Sequence, residues 1–144
     1  MNSAALPCEL CATPGGVVIW DSPSCRVVRV DEPCYPGFCR VIWNAHAREM
    51  SDLDRGQQQY LMSVVFAVEA VVRRLFAPDK INLASFGNMV PHVHWHVIPR
   101  WLDDRHFPEP VWGSVHRDGL AQRADVSNEE LAKAVAQELA NVEH

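Results

Sequence analysis

The sequence predicts an α+β fold: an antiparallel sheet of about five strands with one long helix and a C-terminal helix. Three observations predict it. Short alternating or β-branched runs are set off by turn residues, one long stretch has helical spacing, and the strands follow one another as hairpins. At 144 residues the chain has the size of one domain, 1–144. Apolar residues make up 48% and charged residues 22%, the balance of a soluble globular protein.

Residues 8–16 form a knuckle rich in Cys, Pro and Gly. Residues 17–20 and 26–30 read as short strands around the turn Asp21-Ser22-Pro23-Ser24. Pro33 to Gly37 is a second turn, and the aromatic and β-branched run 38–43 a third strand. Ser51 is the expected cap of the long helix, with Asp52 and Asp54 in its first turn. Leu53, Tyr60, Leu61, Val64, Val68, Val71, Val72 and Leu75 make its buried stripe, Arg73 and Arg74 suit its negative end, and Pro78 stops it. Residues 80–86 are the next strand, Gly87-Asn88 a turn, and 92–100 the last strand. An irregular stretch, 101–113, follows. Ser127 and Glu130 form a capping box that opens the final helix.

The last strand carries the chemistry. His92, His94 and His96 alternate with Val93, Trp95 and Val97, so a strand places all three imidazoles on one surface. Adjacent imidazoles repel when charged unless they share protons or a metal. Two chemistries therefore stay open: a catalytic metal held by histidines, or one neutral imidazole acting as nucleophile while its neighbours orient it and move protons.

The run His92-Val93-His94-Trp95-His96-Val97-Ile98, preceded by Gly87-Asn88-Met89-Val90-Pro91, resembles the His-φ-His-φ-His-φ-φ motif of the histidine triad (HIT) family of nucleotide hydrolases and transferases. Pro36-Gly37, Ala45-His46, Ser51-Asp52-Leu53, Asn82 and Pro99-Arg100 extend the likeness, which covers about 8–112 and leaves 113–144 as an extension with a helix. The resemblance implies a HIT-like fold, a homodimer, a small-molecule nucleotide substrate and no organic cofactor. It implies that His94 attacks the α-phosphorus and carries a covalent nucleotidyl group, and that His96 stabilises phosphate oxygens and assists the leaving group. Asn88 would contact the α-phosphate and Asn82 would add a polar contact. The implied reaction is cleavage of an adenine-nucleotide phosphoanhydride such as a diadenosine polyphosphate. Alternatives are a phosphoramidate hydrolase, a phosphorolytic transferase, a non-catalytic nucleotide-binding protein, and a zinc hydrolase using all three histidines.

Cys8-Glu9-Leu10-Cys11 by itself fits a zinc half-site, a redox pair or coincidence. The family resemblance implies a structural zinc held by Cys8, Cys11, His46 and His92. Cys25, Cys34 and Cys39 are expected to fill buried space. Two departures stand out: Phe38 where many members have histidine, and Trp43-Asn44 where many have Pro-Lys, both expected near the nucleotide pocket. Arg100 and Arg105 are either surface residues or contacts for a polyphosphate tail. Trp101, Phe107 and Trp112 are expected to cover the pocket or to join a dimer interface, while His106, His116 and His144 read as solvated.

The formal charge of −5 argues against nonspecific binding of nucleic acid, while leaving room for a local anion site on backbone amides. The start Met1-Asn2-Ser3-Ala4-Ala5 lacks a basic flank, and no apolar run approaches ~18 residues, so neither a signal peptide nor a membrane span is expected. Five cysteines, an odd count, favour reduced thiols and a cytoplasmic location.

Overall fold

The computed structural model describes residues 7–142; the first six residues, with Met1-Asn2-Ser3-Ala4-Ala5, and residues 143–144, with His144, lie outside the described residues. Strands β1 (Val17–Asp21), β2 (Cys25–Arg29), β3 (Cys39–Trp43), β4 (Lys80–Ala84) and β5 (His94–Arg100) form one antiparallel sheet in the order β1-β2-β3-β5-β4. The β1–β2 hairpin is closed by Ser22, whose hydroxyl accepts the N–H groups of Ser24 and Cys25 at 3.3 and 3.2 Å. β5 lies between β3 and β4, so the triad strand is central and its backbone is paired on both sides.

Three helices accompany the sheet: α1 (Glu9–Ala12), α2 (Arg55–Phe76) and α3 (Asn128–Leu139). α2 starts later than Ser51. Asp54 caps it, accepting the Gln57 N–H at 2.8 Å while Gln57 accepts the Asp54 N–H at 2.9 Å. Met50–Asp52 instead form a separate 3-10 turn, which tucks Leu53 into the core. Leu61, Val64, Val68, Val71 and Val72 are buried as their spacing predicts, with Tyr60 and Leu75 half-buried at the stripe's edge. α2 ends at Ala77, which takes the left-handed conformation (φ 47°) before Pro78. Ser127 caps α3 as expected, and Leu131, Val135 and Leu139 pack its inner side against α2 and β1.

The sheet has two unlike faces. Val27, Val41, Val97, Cys25 and Cys39 are fully buried in the large core shared with α2 and α3. On the other face Val28 and Ile42 meet Leu10 of α1 in a small separate cluster. That face also carries His94 opposite Ile42 and His96 opposite Arg40. No helix among the described residues is long and apolar enough to cross a membrane.

The stretch after β5 is irregular but firmly held. Arg100 is buried: its Nε and Nη2 donate to the Asp104 carboxylate at 2.8 and 3.1 Å, and Asp104 also accepts N–H groups of Trp101, His106 and Phe107. This corrects the expectation of a surface or phosphate-contacting Arg100. Burial alone would raise the Asp104 carboxyl, but the bonds from Arg100, the Trp101 amide and Tyr35 hold it at about 2. His106 is likewise tied in rather than freely solvated, its Nδ1 lying 2.8 Å from the Tyr35 hydroxyl.

Candidate functional site: a Cys/His corner beside an open cleft

β5 begins at His94, two residues later than the alternation predicts. The His92 N–H bonds to the Val90 carbonyl and the Val93 N–H to the Ala47 carbonyl, both at 2.8 Å, while the Val93 carbonyl still accepts the Trp43 N–H at 3.1 Å. His92 is fully buried and does not line the cleft that His94 and His96 line. His92, just before the paired strand, meets the knuckle in a corner, and His94 and His96 lie on the strand itself.

In the corner, His92 Nδ1 lies 3.3 Å from Cys8 Sγ and 3.5 Å from Cys11 Sγ, and His46 Nδ1 lies 3.5 Å from Cys11 Sγ. All four ligand atoms fall within 4.8 Å of one another. A tetrahedron with ordinary Zn–S and Zn–N bonds has S···N edges of about 3.6 Å, so the donor set fits a zinc ion. The His92 tautomer fits as well. Its Nε2–H donates to the Trp43 carbonyl at 2.5 Å, which leaves Nδ1 with its lone pair aimed at the thiols. Burial pushes the His92 ring below the usual histidine value, toward the neutral form that a metal requires.

The knuckle is held in place by Arg26 of β2. Its guanidinium donates to the carbonyls of Leu10, Thr13 and Pro14 and to the Asn44 side chain, at 2.7 to 3.2 Å. Asn44 thus serves the knuckle, and Trp43 faces the helix-covered core; neither lines the cleft where the sequence reading placed them.

His94 and His96 line a cleft of ≈ 880 Å³ between the knuckle and the β4–β5 loop. Their rings stand 5.0 Å apart and nearly perpendicular. His94 Nδ1–H donates to the His92 carbonyl at 2.6 Å, leaving Nε2 as the nitrogen with a free lone pair. Burial, with His94 and Arg40 nearby, pushes His96 down to about 4, so it is neutral at pH 7. Its Nδ1 is buried without a hydrogen-bond partner among the described residues.

Asn88 lines the cleft from the β4–β5 loop, which turns at Gly87 with φ 78°, a conformation that costs a side-chain-bearing residue. Trp112 packs 4.9 Å from the His96 ring and 5.3 Å from Phe86, so it walls the cleft. Phe38 is buried yet touches the site edge-on, 5.8 Å from His96. Trp101 is buried beneath the Arg123 guanidinium, and Phe107 packs under Arg100. Asn82 does not join the cleft: its side chain accepts from Arg100 Nη1 at 2.8 Å and borders a smaller hollow along β4.

Sequence reasoning missed Arg40. It lines the cleft across the ladder from His96, and Nη1 donates to the Gly15 carbonyl at 3.0 Å. A charged residue at an inward position of an otherwise apolar strand was the available signal. Burial pushes its guanidinium below the ordinary value, with Glu9 pulling the other way.

Residues 15–102 match the sequence model of the HIT domain. The chain belongs to the HIT domain family. Distant HIT relatives are named as nucleotide-metabolising enzymes. The AP-4-A phosphorylase of Mycobacterium tuberculosis is 27% identical over 88 residues, 57% of this chain and 45% of that protein. An asymmetrical bis(5'-nucleosyl)-tetraphosphatase of Schizosaccharomyces pombe is 28% identical over 108 residues, 70% of this chain and 59% of that protein. The chain spans about half the length of these relatives. Among solved structures, a histidine triad protein from Bradyrhizobium japonicum superimposes with a TM-score of 0.69 at 27% identity, covering 96% of each chain. The fold is thus common to both.

Proposed function

We propose that this HIT protein cleaves a phosphoanhydride of an adenine nucleotide, with a diadenosine polyphosphate as first-choice substrate, through a nucleotidyl group carried on His94. The observation that carries the reading is the fixed His94 tautomer. A carbonyl 2.6 Å from Nδ1 holds that proton, so Nε2 is the nucleophilic nitrogen of a ring lining the cleft. The relatives named for tetraphosphate substrates support the substrate class.

The chemistry balances without a further reagent. The Nε2 lone pair forms a bond to the α-phosphorus as the bond from phosphorus to the bridging oxygen breaks, and the leaving phosphate departs with that electron pair. The His94 ring becomes cationic, and its Nδ1–H bond to the His92 carbonyl stabilises that charge. Neutral His96 offers an N–H to the phosphate oxygens, and Asn88 a side-chain amide. Water then attacks the phosphorus in line with the P–N bond and gives up a proton to solvent; the P–N electron pair returns to Nε2, and the mononucleotide leaves with the neutral imidazole restored.

Cys8, Cys11, His46 and His92 would hold a zinc ion whose part is structural, since four protein ligands fill a tetrahedron. It would fix His92, and hence the carbonyl that orients His94. A metal shared by all three histidines finds no support, because His92 aims at the thiols and His94 uses Nδ1 for a carbonyl. A homodimer is part of the proposal: β4 is an edge strand, and Leu83 and Phe86 are exposed at and just beyond it. A reducing, cytoplasmic setting suits five free thiols.

The test is turnover of diadenosine tetraphosphate followed by chromatography. The wild type should release AMP and ATP, with ADP in place of AMP only where inorganic phosphate takes the nucleotidyl group, and His94→Ala should lose at least about 10³-fold in kcat. Near-wild-type turnover by His94→Ala would refute the mechanism.

A further inference from the structure

Two arginines project from adjacent strands onto the cleft face of the sheet, and their surroundings differ. Arg26 satisfies all three of its nitrogens with four acceptors. Arg40 satisfies one: Nη1 reaches the Gly15 carbonyl, Nε is buried with no partner, and Nη2 makes no hydrogen bond among the described residues. No carboxylate lies within ion-pair distance of Arg40 among the described residues. Glu9 on the cleft wall acts on the guanidinium only from beyond ion-pair distance, and native structures ordinarily pair a guanidinium taken partly out of water directly.

Its location makes the missing partner a ligand. Arg40 sits directly opposite His96 in the antiparallel ladder, which puts their Cβ atoms about 5 Å apart on one face. The same cleft holds His94. Nε is buried, so Nη2, which makes no hydrogen bond among the described residues, is the group left to donate to a phosphate oxygen. A neutral acceptor could meet those N–H groups but would leave the charge without a direct partner.

We propose that Arg40 is a specificity-determining residue that takes an anionic group of the substrate beyond the phosphate addressed by His94. Two sources have this chemistry: a further phosphate of the leaving chain, or a phosphate on the ribose. The inference rests on the nucleotide reading above, and the binding test separates the two.

Calorimetric affinities of wild type and Arg40→Gln are measured for AMP, α,β-methylene-ADP, adenosine 3',5'-bisphosphate and inorganic tripolyphosphate, none of which needs turnover. The wild type should bind at least one of the doubly phosphorylated nucleotides about tenfold or more tighter than AMP. Arg40→Gln should remove that advantage while moving AMP affinity less than about threefold, and Arg40→Lys should keep part of it as a point charge. Preference for the methylene analogue assigns the leaving chain, and preference for the 3',5'-bisphosphate assigns the ribose. An equal loss for AMP, an advantage that persists in Arg40→Gln, or no advantage in the wild type overturns the proposal. If no nucleotide binds yet tripolyphosphate binds in an Arg40-dependent way, the nucleotide reading falls and the anion site stands. Arg40-independent or absent binding of tripolyphosphate in that case overturns both.

Discussion

The helix-covered face of the sheet and the cleft face are stabilised by different physics. The first is closed by rows of Val, Leu and Cys side chains under α2 and α3, an apolar burial that is non-directional and has no reactive group exposed. The second is covered by a four-residue helix and loops, held by named polar contacts: Arg26 on three carbonyls, His92 on the Trp43 carbonyl, His94 on the His92 carbonyl. Where those contacts end, the cleft opens. One face supplies stability and the other aims nitrogen atoms, so damage to each should read out differently.

The largest expected stability loss comes from the helix face. Leu61 is fully buried, and Leu61→Ala should cost about 2–5 kcal/mol in urea unfolding while the folded fraction keeps its kcat. A matching collapse of kcat would show that the two faces are not separable.

The corner should respond next. In Cys11→Ser, zinc measured by elemental analysis should fall from about one ion per chain to well below half, because a tetrahedral site loses a thiolate. Activity should drop with it through the displaced His92 carbonyl. Undiminished zinc would remove Cys11 from the ligand set.

The smallest effect concerns pH. The folded His96 titrates at about 4 against an ordinary 6.5, so between these values the unfolded chain binds a proton that the folded chain does not. The contribution is a stability that falls as pH drops from about 6.5 toward 4 and levels off below. Comparing urea midpoints at several pH values for wild type and His96→Gln should give a shallower slope in the variant. Identical slopes would mean that His96 titrates alike in both states.

What sequence could reveal divides along the same two faces. α3 was legible because Ser127 and Glu130 are four-residue-local signals, and the α2 stripe because helical periodicity repeats over six turns. The start of α2 was misplaced because Ser51, Asp52 and Asp54 are all competent caps, and only Asp54 finds its partner three residues on. On the cleft face, the triad, Asn88 and the Cys/His quartet were legible as a family motif. The late start of β5 was not, since it goes with the Val93 N–H bond to Ala47 and the His92 ring's bond to Trp43, far off in sequence. The partners of Arg26 and the burial of Arg100 were equally hidden, and Arg40 was marked only by its charge in an otherwise apolar strand. An arginine's role is set by acceptors brought to it by folding, and nothing adjacent in the chain announces them.

The central claim is most directly tested by mixing enzyme with excess diadenosine tetraphosphate, quenching in alkali within one turnover, and analysing peptides by mass spectrometry. The account predicts a nucleotidyl mass increment on the peptide containing residues 92–96, localised to His94 and absent from His94→Ala. Cleavage at full rate with the peptide unmodified at every quench time, or an adduct on His96 instead, would contradict it.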